Sequence, residues 1–106
     1  MPKALNDGQV LAEVRRLVLA GNIRWRSHAE DRMEERGYSK YEAKDCLLRG
    51  RFVERPVTPN RRGPTQYQFA MGANVDGRPI RVVASLVPDA QVVVISVVDP
   101  KPRGTR

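Results

Sequence analysis

The chain has one cysteine and one histidine in 106 residues. A single cysteine excludes an intrachain disulfide and any cysteine-cluster zinc site. Cys46, in "AKDCLLRG" on a predicted helix, reads as a small buried hydrophobe. A lone histidine without clustered acids makes no transition-metal site, so no metal and no cofactor is expected. No apolar run approaches the length of a membrane span, and the first residues carry no apolar segment of signal-peptide length. The expectation is a cytoplasmic protein without a membrane partner. Internal repeats are absent. A phosphate-binding glycine loop is absent too, because "GANVDG" has the wrong spacing and context. Lysine is scarce, occurring only at Lys3, Lys40, Lys44 and Lys101.

What replaces lysine is arginine. Lys and Arg together number 19 against 12 Asp and Glu, a formal net charge of +7. The sequence pI is near 10.3. Such a balance favours polyanionic partners: nucleic acid, an anionic membrane or an acidic protein. The planar guanidinium fork suits phosphate better than the point charge of lysine does. The length fits one domain, since single cores are typically built from about 100–150 residues.

The first helix is placed by "NDGQVLAEVRRLVLAGN". Asn6 or Asp7 caps it, Val10, Leu11, Val14, Leu17 and Val18 share one face, and Gly21 and Asn22 stop it. "IRWR" alternates and is short, either an edge strand or an extended link. Ser27 with Glu30 predicts a capping box that starts a second helix at His28 and runs to Gly37. Ser39 with Glu42 predicts another, starting a third helix that runs to Gly50. Beyond Gly50 the pattern becomes strand-like. "RFVERPV", "QYQFAMG", "RPIRVVASLV" and "QVVVISVV" are separated by the polar loop "TPNRRGPT", the tight turn "NVDG" and "PDA". The expected fold is α+β, with helices packed on one face of a three- to four-stranded antiparallel sheet. Residues 1–98 form the domain and 99–106 a basic, disordered tail.

In "SHAEDRMEERG" the apolar positions are few, so this helix shows most of its circumference to water or a ligand. Residues four apart drift by only about 40° around a helix. His28, Arg32 and Arg36 therefore form a cationic ridge beside the apolar stripe of Ala29 and Met33, where the helix meets the sheet. Glu30, Asp31, Glu34 and Glu35 form the acidic side. An ordinary role is open to these residues: Arg32 and Arg36 can pair with nearby acids for about 0.2–0.5 kcal/mol each. A histidinium in the first turn is disfavoured by the helix dipole. The same dipole favours anions, and a neutral histidine there is a competent general base.

The pattern S-x-H-A-x-x-R-M-x-x-R-G, here Ser27, His28, Ala29, Arg32, Met33, Arg36 and Gly37, resembles the opening of a bacterial family, domain of unknown function 4258. The likeness continues through the third helix, through Tyr67, Gly77, Ile80, Arg81, Val82 and Val83, and along Val92 to Val98. It covers roughly residues 22–98 and implies a fold of the barnase and RelE-like ribonuclease group. "LAEVRRLVLAGNIR", two helices and a meander are also similar to the MqsR-type messenger-RNA interferases of toxin–antitoxin pairs, with Gln68 at a catalytic-type position. The chain departs from that pattern in its final strand, where "VISVVDP" has valines and Asp99 in place of a basic residue, and in its histidine–arginine helix.

These resemblances imply a metal-independent endoribonuclease, a toxin acting on messenger RNA and neutralised by a cognate antitoxin. Such cleavage needs a base for the 2′-hydroxyl, an acid for the leaving 5′-oxygen, and cations for the phosphate oxygens. His28 alone has an unperturbed pKa near neutrality and is expected as acid or base. Arg32, Arg36 and Arg81 are the expected phosphate clamps, and Tyr67 the second proton-transfer group. Arg24, Arg61, Arg62 and Gln68 are expected nucleic-acid contacts, with Arg103 and Arg106 in the tail as non-specific ones. Simpler roles compete: Tyr67 as a half-buried sheet residue, Arg81 as the solvent-facing residue of its strand, Trp25 and Tyr38 as anchors between helix and sheet. Two further functions compete as well, a non-catalytic RNA- or DNA-binding module and an adaptor docking an acidic protein.

Overall fold

The computed structural model describes residues 4–58 and 66–98. In chain order the elements are α1 (Asp7–Leu19), β1 (Ile23–Trp25), α2 (Ser27–Arg36), α3 (Lys40–Arg49), β2 (Arg51–Val57), β3 (Tyr67–Val75), β4 (Arg78–Val87) and β5 (Gln91–Val98). The predicted loop with Arg61 and Arg62, and the tail with Arg103 and Arg106, lie outside the described residues.

α1 begins as expected. The Asn6 side chain accepts from Gln9 N at 2.8 Å, while Gln9 Oε1 accepts from Asn6 N at 2.9 Å. Val10, Val14, Leu17 and Val18 are buried along one face, with Leu11 partly buried beside them. α3 has the predicted Ser39–Glu42 capping box. α2 does not have the one predicted for it: Arg26 is its N-cap, with no side-chain cap bond, and Ser27 is its first helical residue. Two contacts explain the difference. Arg26 N donates to Val94 O at 3.1 Å, which ties the helix start to β5. The Glu30 carboxylate is held by Lys40 at 2.9 Å.

The sheet has five strands in the order β1-β5-β4-β3-β2 and is mixed. The expected three- to four-stranded antiparallel sheet is corrected here: "IRW" is a fifth strand, parallel to β5 through Ile23–Val92, Arg24–Val93 and Trp25–Val94. The other pairings are antiparallel. Asp76 and Gly77, both at positive φ, turn β3 into β4, matching the predicted "NVDG" turn.

Side-chain alternation divides the sheet into two faces. Tyr67, Phe69 and Met71, then Ile80, Val82, Ala84 and Leu86, then Val92, Val94 and Val97, face the helices and form the core. Ile95 is the extra residue of a bulge, because Val83 pairs with Ser96 and Ala84 with Val94. Full burial of a Leu or Met side chain contributes about 1.5–3 kcal/mol, so Leu47, Met71 and Leu86 each matter to the fold. Gly50 lies where α3 meets β3, and a Cβ there would come within 2.5 Å of Cys46 O and 2.6 Å of Gly72 O. Cys46 is fully buried, as its sequence context predicts. β2 is an outer strand blunted by two register shifts and Pro56.

Candidate nucleic-acid interface

Opposite the helices, the outward residues fall into rows across the paired strands. One row is Arg24, Val93, Ser85, Gln68 and Val57. A second is Val98, Arg81, Gly72 and Arg51. Ser85 and Arg81 are four residues apart on β4, roughly 13 Å at the usual strand rise. Of the predicted contacts, Arg24, Gln68 and Arg81 therefore share one face. Arg24 and Gln68 are exposed, and Arg81 is half-buried. Arg81 Nε is buried and has no hydrogen-bond partner among the described residues.

At the β1 end of the first row the surface sinks into a hollow of about 490 Å³. Arg24, Arg26, Ser27, Gln66, Ser85 and Gln91 are its polar lining, and Trp25, Val87 and Val93 complete it. Its position follows from chain direction: β1 ends at Trp25 and the chain turns at once into α2, so Arg26 and Ser27 stand over the sheet. Arg26 caps α2 without a side-chain bond. The first-turn N–H groups of that helix therefore remain available to an anion. Arg24 and Arg26 have no ion-pair partner among the described residues.

The ridge on α2 runs along the β5 edge. Ala29 and Met33 are buried against the sheet, as predicted. Arg36 Nη1 donates to Val97 O at 3.4 Å, past the point where β1 stops pairing with β5. Arg32 Nε donates to His28 Nε2 at 3.5 Å, and Arg32 also pairs with Glu35 at 3.4 Å. His28 is exposed, next in the chain to Ser27 but outside the hollow.

Tyr67 stands apart from this set. It is 3% exposed on the helix face, and its hydroxyl oxygen accepts from Leu5 N at 2.8 Å. The expected proton-transfer role fails on position, since neighbouring strand residues point to opposite faces and Gln68 takes the outward one. Tyr38 is an anchor, as expected: it is buried and donates its hydroxyl to Pro79 O at 2.8 Å. Arg78 lies over the Tyr38 ring at 3.9 Å and donates to the carbonyls of Gly37 and Arg36, which fastens the carboxyl end of α2. Sequence reasoning missed Arg26, Ser27, Gln66, Ser85 and Gln91. Two signals pointed to some of them: Arg24 and Arg26 alternate onto one side of "IRWR", and Ser85 interrupts an otherwise apolar strand.

The stretch from the hollow through the ridge to the last strand is also where kinship lies. A family model described as domain of unknown function (DUF4258) matches residues 25–99. The chain belongs to that family. The DUF4258 match takes in α2, α3 and strands β2 to β5, while α1 precedes it. No curated protein and no solved structure matches the chain. Among the described residues no group of His, Cys, Asp and Glu has the arrangement of a metal site. No helix among them is long and apolar enough to cross a membrane.

Proposed function

We propose that this protein binds RNA through the sheet face opposite the helices, with Arg24, Arg26 and Arg81 holding backbone phosphates. One observation carries the reading, a contrast in how arginines are paired. Arg16 is neutralised by Glu13, Arg49 by Asp45 and Arg55 by Asp7. Arg24, Arg26 and Arg81 have no such partner among the described residues. The outward positions of β3, β4 and β5 carry no acid either. Guanidinium groups left unneutralised on one face are the electrostatic footprint of a phosphate-binding surface. The net charge of +7 acts in the same direction.

A second reading is favoured by the His28–Arg32 contact. On this reading the protein is a metal-independent endoribonuclease, similar to the MqsR-type toxins and to the RelE and barnase group. It would act in the cytoplasm on messenger RNA and be held in check by a cognate antitoxin. His28 would move the proton, and Arg32 and Arg36 would stabilise the phosphorane, leaving a 2′,3′-cyclic phosphate. It stands second because Tyr67, the other expected proton-transfer group, lies in the core.

Labelled RNA incubated with the protein in EDTA separates the two. The leading reading expects RNA retained intact by wild type and by His28→Ala, with retention lost in Arg24→Ala/Arg26→Ala. Cleavage by wild type alone, giving cyclic-phosphate ends, would establish the second. Neither retention nor cleavage would overturn both and leave an acidic protein as the partner of the basic surface.

A further inference from the structure

We infer that the hollow beside β1 is a base-reading subsite for one nucleotide, so that RNA is bound with sequence preference at that position. The inference rests on the RNA-binding reading above and concerns how the same face selects its ligand.

The first observation is where the aromatic rings lie. Proteins that hold single strands without sequence preference stack successive bases on aromatic side chains. Here five of the six rings belong to the helix side, and the sixth, Trp25, borders the hollow while engaged by Lys40 of α3. Trp25 pairs with buried Val94 and lies beneath Lys40 of α3 at 5.3 Å. Tyr38 lies beneath Arg78, and Tyr41 is on α3. Phe52 packs edge-on to core residue Phe69 at 5.6 Å, and Tyr67 is in the core. Apart from Trp25 at the border of the hollow, the arginine face offers no ring on which to stack a base. With that one ring taken up by Lys40, base contact on this face falls mainly to hydrogen bonds.

The second observation is the chemistry inside the hollow. Its volume of about 490 Å³ falls within the 300–1,000 Å³ range usual for small-ligand sites. Two glutamines line it, Gln66 and Gln91, each with a carboxamide that carries both donors and an acceptor. Gln66 Nε2 donates to Ser85 Oγ at 3.1 Å, which orients the amide and leaves its oxygen and second N–H without a partner among the described residues. Gln91 makes no side-chain hydrogen bond among the described residues. Ser85 is 2% exposed, a buried hydroxyl in the floor with Val87 and Val93 on either side. A planar base lying on this floor presents its edge to the two amides. Its phosphate then falls at the rim, where Arg24, Arg26 and the first turn of α2 gather. Arginine sets affinity here, and the amides set preference.

The test measures the affinity of wild type, Gln91→Ala, Gln66→Ala and Arg24→Ala for fluorescein-labelled octamers of adenylate, cytidylate and uridylate. Wild type is expected to separate the three by at least about tenfold, the discrimination of one well-placed amide–base pair. Either glutamine variant is expected to compress that spread to about threefold. Arg24→Ala should weaken all three alike. Gln91→Ala leaves the Gln66–Ser85 bond in place, so it remains informative if Gln66→Ala unfolds. Equal wild-type affinities, or a spread in Gln91→Ala as wide as in wild type, would overturn the inference and leave RNA binding standing. Failure to bind any octamer would remove the RNA reading itself.

Discussion

Tyr67 and Gln68 are adjacent in the chain and serve opposite faces of one strand. The sequence holds this information, since "QYQF" alternates, and alternation forbids neighbours from sharing a site. What it does not hold is which face the helices cover. That depends on the packing of α1 and α3 over β3, β4 and β5. Cys46 was legible from its apolar surroundings, and burial pushes its thiol up to about 12. Glu13 was not legible, because its partners come from both near and far. It accepts from Arg16 at 2.7 Å and from Asp89 N, in the β4–β5 turn, also at 2.7 Å. The Arg16 bond, helped by the Asp89 N–H, holds its carboxyl below the usual glutamate value. A carboxyl lowered in the folded state stabilises the fold above its unfolded value and loses that contribution as pH falls through the folded one. Glu13→Ala is therefore expected to lower the thermal midpoint at neutral pH by roughly 4–8 °C, the shift that follows from about 1 kcal/mol. The gap between variant and wild type should close as pH falls below the ordinary glutamate value of about 4.3. A gap that stayed constant in calorimetry across that range would mean that the carboxylate charge is not involved.

α2 is the element on which sequence and structure differ most. Its apolar stripe, Ala29 and Met33, and its cationic ridge follow from spacing alone. Its start does not, because a bond from Arg26 N to Val94 O replaces the local cap. β1 was ambiguous for a related reason. Three residues cannot display a period, and a parallel pairing with β5 joins segments nearly seventy residues apart. The far end of α2 depends on Arg78, which reaches it from β4. Tyr38 and the two carbonyls of Gly37 and Arg36 are its contacts, with Glu42 at 3.8 Å. Arg78→Ala is expected to cost about 1–2 kcal/mol in urea unfolding, from the lost hydrogen bonds and the stacked cation. It should also speed amide exchange at residues 33–38 more than at β4. Equal acceleration throughout the molecule would mean that Arg78 supports the fold as a whole and does not latch one helix.

At the scale of the whole molecule, the layer arrangement assigns the chemistry. Helices and most of the aromatic rings occupy one side of the sheet, and Arg24, Arg26 and Arg81, without an acid partner among the described residues, stand on the other. Composition announced a basic protein, and the order of helical and strand-like patterns its α+β class, but neither gave the division between the faces. That division brings Arg24, Arg26 and Arg81 to one surface and removes Tyr67 from it. The central claim is that this surface binds RNA phosphate. Its most direct test is the salt dependence of binding to octauridylate, followed by fluorescence anisotropy for wild type and Arg24→Ala/Arg26→Ala. For a single strand the logarithm of the affinity falls with the logarithm of salt by about 0.7 for each phosphate neutralised. The double variant is expected to bind more weakly and to show a slope shallower by about 1.4. Wild-type affinity with an unchanged slope would place the RNA elsewhere on the molecule and contradict the account.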